Sequence, residues 1–121
     1  MSQLEGERLL RAIAHTARTR YGLTVWQWLP GEVGTHAPGS LHEQVFPGTN
    51  VGRAFDAYGS WLRMFRFARW VKKNAPQVTE GIFNTGLGNG SLSIKNGRRV
   101  SAFYWGSVVW AEHKNHVHIG V

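Results

Sequence analysis

Not one of the 121 residues is a cysteine. That excludes a disulfide framework, a Cys-based zinc knuckle and a thiol nucleophile. Aspartate is almost as scarce: Asp56 is the only one, in a set of just seven carboxylates. Acids this sparse leave no carboxylate cluster, which counts against a two-metal magnesium centre. No run of eighteen apolar residues occurs, so no membrane-spanning helix is expected. The opening Met1-Ser2-Gln3-Leu4-Glu5 is polar and mixed in charge and does not read as a secretory signal. A chain made in the cytoplasm and acting outside it needs another factor to release it. There is no internal repeat, linker or low-complexity segment, so residues 1–121 are expected to form one domain.

What the chain does have is positive charge and apolar mass. Fourteen Lys and Arg give a formal net charge of +7. Such a balance suits a negatively charged partner: nucleic acid, an anionic cell-wall polymer or a lipid surface. Plain solubility is the alternative. With 42% hydrophobic residues, a core can form without covalent staples.

The patterning predicts an amphipathic helix over 3–19, with Leu9, Leu10, Ile13, Ala14 and Ala17 on one side, ended by Tyr21-Gly22. Leu23 to Leu29 alternates like a strand. Pro30 to Gly52 is a long irregular stretch holding His36 and His42, and loops of that length tend to be functional. Ser60 caps a second helix, 61–74, whose stripe is Trp61, Met64, Phe65, Ala68 and Val71. Its other side carries Arg63, Arg66, Arg69, Lys72 and Lys73, and Pro76 stops it. Strands follow at 81–84, at 92–95 and 98–105 around the Asn96-Gly97 turn, at 108–111 and at 115–121. The expected fold is α+β, with two main helices packed on one face of an antiparallel sheet. Gly86 to Gly90 lacks the Gly-Lys-Ser/Thr ending of a phosphate loop and reads as a plain loop.

Three of the six histidines lie close together, in Glu112-His113-Lys114-Asn115-His116-Val117-His118. On a strand, His116 and His118 share one face and Val117 and Ile119 the other. Paired imidazoles are poor core filling but natural as metal ligands, or as a ligand beside a proton-transfer group. Further ligands are expected upstream. Ser40-Leu41-His42 offers a histidine, and Gly52-Arg53-Ala54-Phe55-Asp56 offers the aspartate. Asp56 stands among apolar neighbours and needs a partner, such as a metal; an Asx turn ahead of the second helix is its plainer role. His15, on the first helix, is read as solvent-facing.

Ser-x-His, Gly-Arg-Ala-x-Asp and a late His-x-His together resemble the zinc peptidases of the D-Ala-D-Ala metallopeptidase, lysostaphin and hedgehog superfamily. The resemblance covers residues 23–121. It implies a small α+β domain holding one zinc through His42, Asp56 and His118, with His116 as the catalytic or transition-state residue. It matches His113 to a further site histidine found in some members. Ser40, Arg53 and His36 are expected nearby: Ser40 beside His42, Arg53 pairing a substrate carboxylate or bracing Asp56, and His36 touching substrate. Two departures stand out. Nine residues separate His42 from Gly52 where the family pattern has two, and the 43–51 insert reads as a surface excursion. Lengthening a loop costs only about 0.6 kcal/mol per doubling. The carboxypeptidase branch has a catalytic Glu three residues before the last ligand, where this chain has Asn115. The base role then falls to His116, with Glu112 in support, which favours endopeptidase-like chemistry.

The resemblance implies amide hydrolysis in bacterial peptidoglycan by a phage endolysin or a virion-associated wall hydrolase. Zinc would activate water and polarise the scissile carbonyl. Peptidoglycan and anionic wall polymers are the expected partners, nucleic acid is disfavoured, and a monomer is the simplest assembly. Tyr104 and Trp105 are candidates to line the substrate groove, although aromatics are more often core. Two other readings stay open: a small metal-dependent nuclease, and a non-catalytic module with a closed zinc site.

Overall fold

A computed structural model describes residues 2–29, 32, 40–87 and 90–121. Helix α1 spans Gln3–Thr19, and the Ser2 side chain caps it by accepting from the Glu5 amide at 3.1 Å. Its Leu10, Ile13, Ala14 and Ala17 are buried, as the 3.6-residue period requires. Gly22 takes a positive φ of 65° to turn the chain into strand β1, Thr24–Trp26. This strand is shorter than the expected 23–29, because Gln27 adopts φ 61° and leaves the extended region.

A single 3₁₀ turn, Leu41–Glu43, carries His42. The following insert is not a surface excursion. Phe46 and Val51 are buried in the core, and Val45 bridges Gly52 antiparallel. Gly52 sits against the Trp28 backbone, where an added Cβ would lie 2.5 Å from the Trp28 carbonyl oxygen. The Trp28 indole in turn donates to the Gly52 carbonyl at 2.9 Å. These contacts tie both ends of the insert down and bring His42 back toward the sheet.

Strand β2, Ala54–Tyr58, was not expected. Helix α2, Trp61–Asn74, follows as expected, capped by Ser60 accepting from the Arg63 amide. Its buried stripe is Met64, Phe67, Ala68 and Val71; Phe67 takes the core place assigned to Phe65. Then come β3 Glu80–Phe83, β4 Leu92–Lys95 and β5 Arg98–Arg99. Asn96 and Gly97, at φ 52° and 75°, make the tight turn between β4 and β5 that their sequence predicts. Residues 100–105 leave the expected hairpin for a 3₁₀ turn at Ala102–Tyr104. Residues 108–111 lie in helix α3, Ser107–Glu112, rather than in a strand. Strand β6 is Val117–Gly120.

The six strands form one antiparallel sheet in the order β1-β2-β6-β3-β4-β5. That order explains α3. The chain leaves the far edge at β5 and returns between β2 and β3, so residues 100–116 must cross two strands and have no ladder to join. Val108, 70% exposed, shows how little the segment contributes to the core. Helix α1 packs on β1 and β2, and α2 packs on β4. Phe55, Ala57, Val117 and Ile119 face the core with the helices. The period of two then aims Asp56 and His118 at the opposite face. The α+β layering expected from the sequence is present, with a third short helix added.

Candidate metal centre

The site is built on the central strands. Asp56 of β2 and His118 of β6 are directly paired across the sheet, and His118 is also paired with Ile82 of β3. His42 closes over them from its 3₁₀ turn. The three side chains are buried, and one donor atom from each lies within 4.8 Å of the others. His42 Nε2 is 3.1 Å from His118 Nδ1, and Asp56 Oδ1 is 3.2 Å from the first and 3.4 Å from the second. His42, Asp56 and His118, the three residues singled out from sequence, form a group that could hold a metal ion.

The remaining ring nitrogens decide what the facing ones can do. His42 Nδ1 is 2.8 Å from the Gln27 carbonyl oxygen, which can only accept. His118 Nε2 is 2.9 Å from Glu80 Oε1. Each outward N–H thus has an acceptor, so in the neutral tautomers the inward nitrogens present lone pairs to each other. Two lone pairs and a carboxylate oxygen at these distances repel unless a cation or a proton lies among them. Burial pushes the His118 pKa down, but hydrogen bonds and charges from Asp56 and Glu80 outweigh it and lift it to about 9. Burial likewise opposes ionisation of Asp56, yet the His118 and His42 hydrogen bonds hold its carboxyl well below the usual range. Glu80, against burial, is drawn down to about 2 by His118 and Lys95. The pocket therefore favours positive charge among these groups, whether a proton or a cation.

No family model, curated protein or solved structure matches this chain. The site must speak through its own geometry.

His116 stands at the rim. Its Nδ1 is 2.6 Å from Asn115 Oδ1, and its Nε2 is 3.8 Å from Asp56 Oδ1. Asn115, which stands where the carboxypeptidase branch has its glutamate, thus orients the ring. Burial drops the His116 pKa to about 4, against the pull of Asp56, so the ring is neutral at pH 7. His113 donates from Nδ1 to the Val109 carbonyl at 2.6 Å, and its ring centre is 4.8 Å from that of His116. Burial lowers its pKa as well. Tyr58 lies beside His116, ring centres 5.4 Å apart, and burial with the Asp56 charge pushes its phenol up to about 12.

These groups line a cleft of about 560 Å³ that also includes Ser40, Trp105, Val109 and Glu112. Ser40 reaches the site, but its hydroxyl accepts from the His42 amide, not from the ring. Arg53 does not reach it. Its guanidinium donates to the Val121 carbonyl and to Gln44 Oε1, bracing the insert rather than Asp56. His36 lies outside the described residues. Sequence reasoning missed Glu80 and the Gln27 carbonyl. Glu80 had one available signal: it immediately precedes the expected 81–84 strand, in step with Ile82 and on the face of His118.

Proposed function

We propose that the protein is a zinc-dependent peptidase acting on amide bonds of bacterial peptidoglycan, as a phage lysin or virion-associated wall hydrolase. The observation that carries the reading is the convergence of His42 Nε2, His118 Nδ1 and Asp56 Oδ1 at 3.1 to 3.4 Å. Zinc takes nitrogen ligands at about 2.0–2.1 Å in tetrahedral geometry, which separates neighbouring donors by about 3.3–3.4 Å. Two imidazoles and one carboxylate also form a donor set that suits zinc, and three protein ligands are the number a catalytic zinc site would use. The resemblance of Ser-x-His, Gly-Arg-Ala-x-Asp and His-x-His to the zinc peptidase superfamily supplies the substrate class.

Held by His42, Asp56 and His118, zinc would supply Lewis-acid activation of water and of the scissile carbonyl. The protein's own groups do the rest. Gln27 and Glu80 fix the tautomers of His42 and His118, so that each ring offers its inward nitrogen. His116, neutral and oriented by Asn115, takes the proton of the attacking water at Nε2 and returns it to the leaving amine. Trp105 and Val109 give the cleft an apolar wall for the peptide and help exclude bulk water.

The test is elemental analysis of the purified protein beside digestion of isolated cell walls, with released fragments read by mass spectrometry. About one zinc per chain is expected, together with new amino and carboxyl ends in the stem peptide or cross-bridge. Zinc without hydrolysis would assign the centre to a structural, closed role. No zinc after reconstitution would end the peptidase reading.

A further inference from the structure

A dense group of cations lies away from the candidate metal centre. An open cleft of about 860 Å³ runs between the basic side of α2 and the end of α1. Six cations line it: Arg20, Arg66, Arg69, Lys72, Lys73 and Arg99. Among the described residues, no carboxylate lines it. The Arg11–Glu7 and Lys95–Glu80 ion pairs both lie elsewhere. The helical cations recur at steps of three and four residues, so they form a row with one charge every 5 Å or so along the axis. Burial and then the Arg99 and Arg69 charges press the Lys72 pKa down, in keeping with cations crowded along this cleft.

The cleft does not end there. Lys72 and Arg99 also line a neighbouring groove of about 530 Å³, whose other walls include Asn84, Ser93 and Ser101. That groove shares its wall with the metal centre. The Trp105 indole donates to Ser93 Oγ at 2.8 Å, and the Asn84 amide donates to the His113 carbonyl at 2.8 Å. Trp105 and His113 are lining residues of the metal cleft.

We propose that the basic cleft is an exosite for a linear, base-free polyanion, which holds the wall so that its peptide reaches the metal cleft through the polar groove. The placement of that peptide rests on the peptidase reading above; the polyanion site does not. A row of cations fits a chain with one charge per repeat better than a compact anion. Four of the six are arginines, whose planar forks pair with phosphate or carboxylate oxygens. The aromatic rings lining the cleft argue against nucleic acid. Trp70 stacks on Phe67 at 6.4 Å, while Tyr21 packs on Phe67 at 5.9 Å and lies under the Arg20 guanidinium. Neither is set out as a platform for bases.

The experiment measures binding of the full chain to poly(glycerol phosphate), to polyglutamate and to single-stranded and duplex DNA across a salt series. An Arg66→Gln/Arg69→Gln/Lys73→Gln variant is run beside it, with zinc content and circular dichroism reporting its fold. Each charge contact contributes about 0.7 to the slope of log K against log salt on a single strand, so the triple variant should flatten the slope by about 2. Binding of either base-free polymer with that flattening supports the exosite, and the tighter of the two identifies the anion. Unchanged binding by a folded variant, no binding of either polymer, or tighter binding of DNA overturns it. Asp56→Asn separates the two readings: it removes hydrolysis if the peptidase reading holds, and polyanion binding persists in either case.

Discussion

The two walls of the metal cleft are built in opposite ways. One is the middle of the sheet, where Asp56, His118 and Glu80 project from β2, β6 and β3, each strand hydrogen-bonded on both sides. Asp56 and His118 are only 4% and 6% exposed. The other is the crossing segment, in which α3 buries no residue and begins at Gly106 without a side-chain cap. His113 and His116 follow directly from that helix. Groups that could hold an ion at fixed distances thus stand on strands paired along both edges. Groups that would meet substrate and move protons stand beside the least buried part.

The sharpest way to break this contrast is to remove a sheet ligand. Asp56→Ala and His118→Ala are each expected to lose the bound metal and all wall hydrolysis, as read by elemental analysis and fragment release. On the rim, His116→Gln should leave the metal in place and lower kcat by about 10²–10⁴-fold, the usual range for a lost proton-transfer group. A His116→Gln protein that also loses its metal would move His116 from the rim into the ligand set. Glu80→Gln tests the support behind the sheet wall: metal affinity should fall about 10–100-fold with His118 still bound, measured by competition with a chelator.

Acid stability tests the same wall without metal. Glu80 ionises at about 2 in the fold against an ordinary 4.5. A depressed carboxylate stabilises the fold fully above the ordinary value and loses that contribution as pH falls toward the folded value. In chelator, urea unfolding of the wild type should weaken by roughly 3 kcal/mol between pH 5 and pH 2 from this group. Glu80→Gln should remove that part of the slope. The smallest effect belongs to the rim. Gly106, at φ 82° with open space around it, should tolerate Ala at about 1–2 kcal/mol, with metal content unchanged.

Much of this layout could be read in the chain. Helices α1 and α2 announce themselves through apolar period and Ser caps, and Asn96-Gly97 fixes its hairpin. His42, Asp56 and His118 were identifiable because chemistry-bearing residues are so few. Strand β2 was hidden because it is buried on both faces, so Ala54-Phe55-Asp56-Ala57 shows no alternation. The Val108-Val109-Trp110 run has β-formers in a helix, since the topology there allows no strand partner. The Gln27 carbonyl left no trace, because a backbone acceptor has no residue type. Glu80 gave only its strand parity, which acquires meaning once β3 is known to neighbour β6.

The sheet ends abruptly on both sides. The outer strand β1 has three residues and is cut off where Gln27 turns to positive φ. The opposite border, β5, is two residues long, and both are exposed arginines. A foreign strand seeking unpaired backbone would find too little ladder on one border and two like charges on the other. Copies of the chain can therefore crowd together without their sheets fusing edge to edge into aggregates.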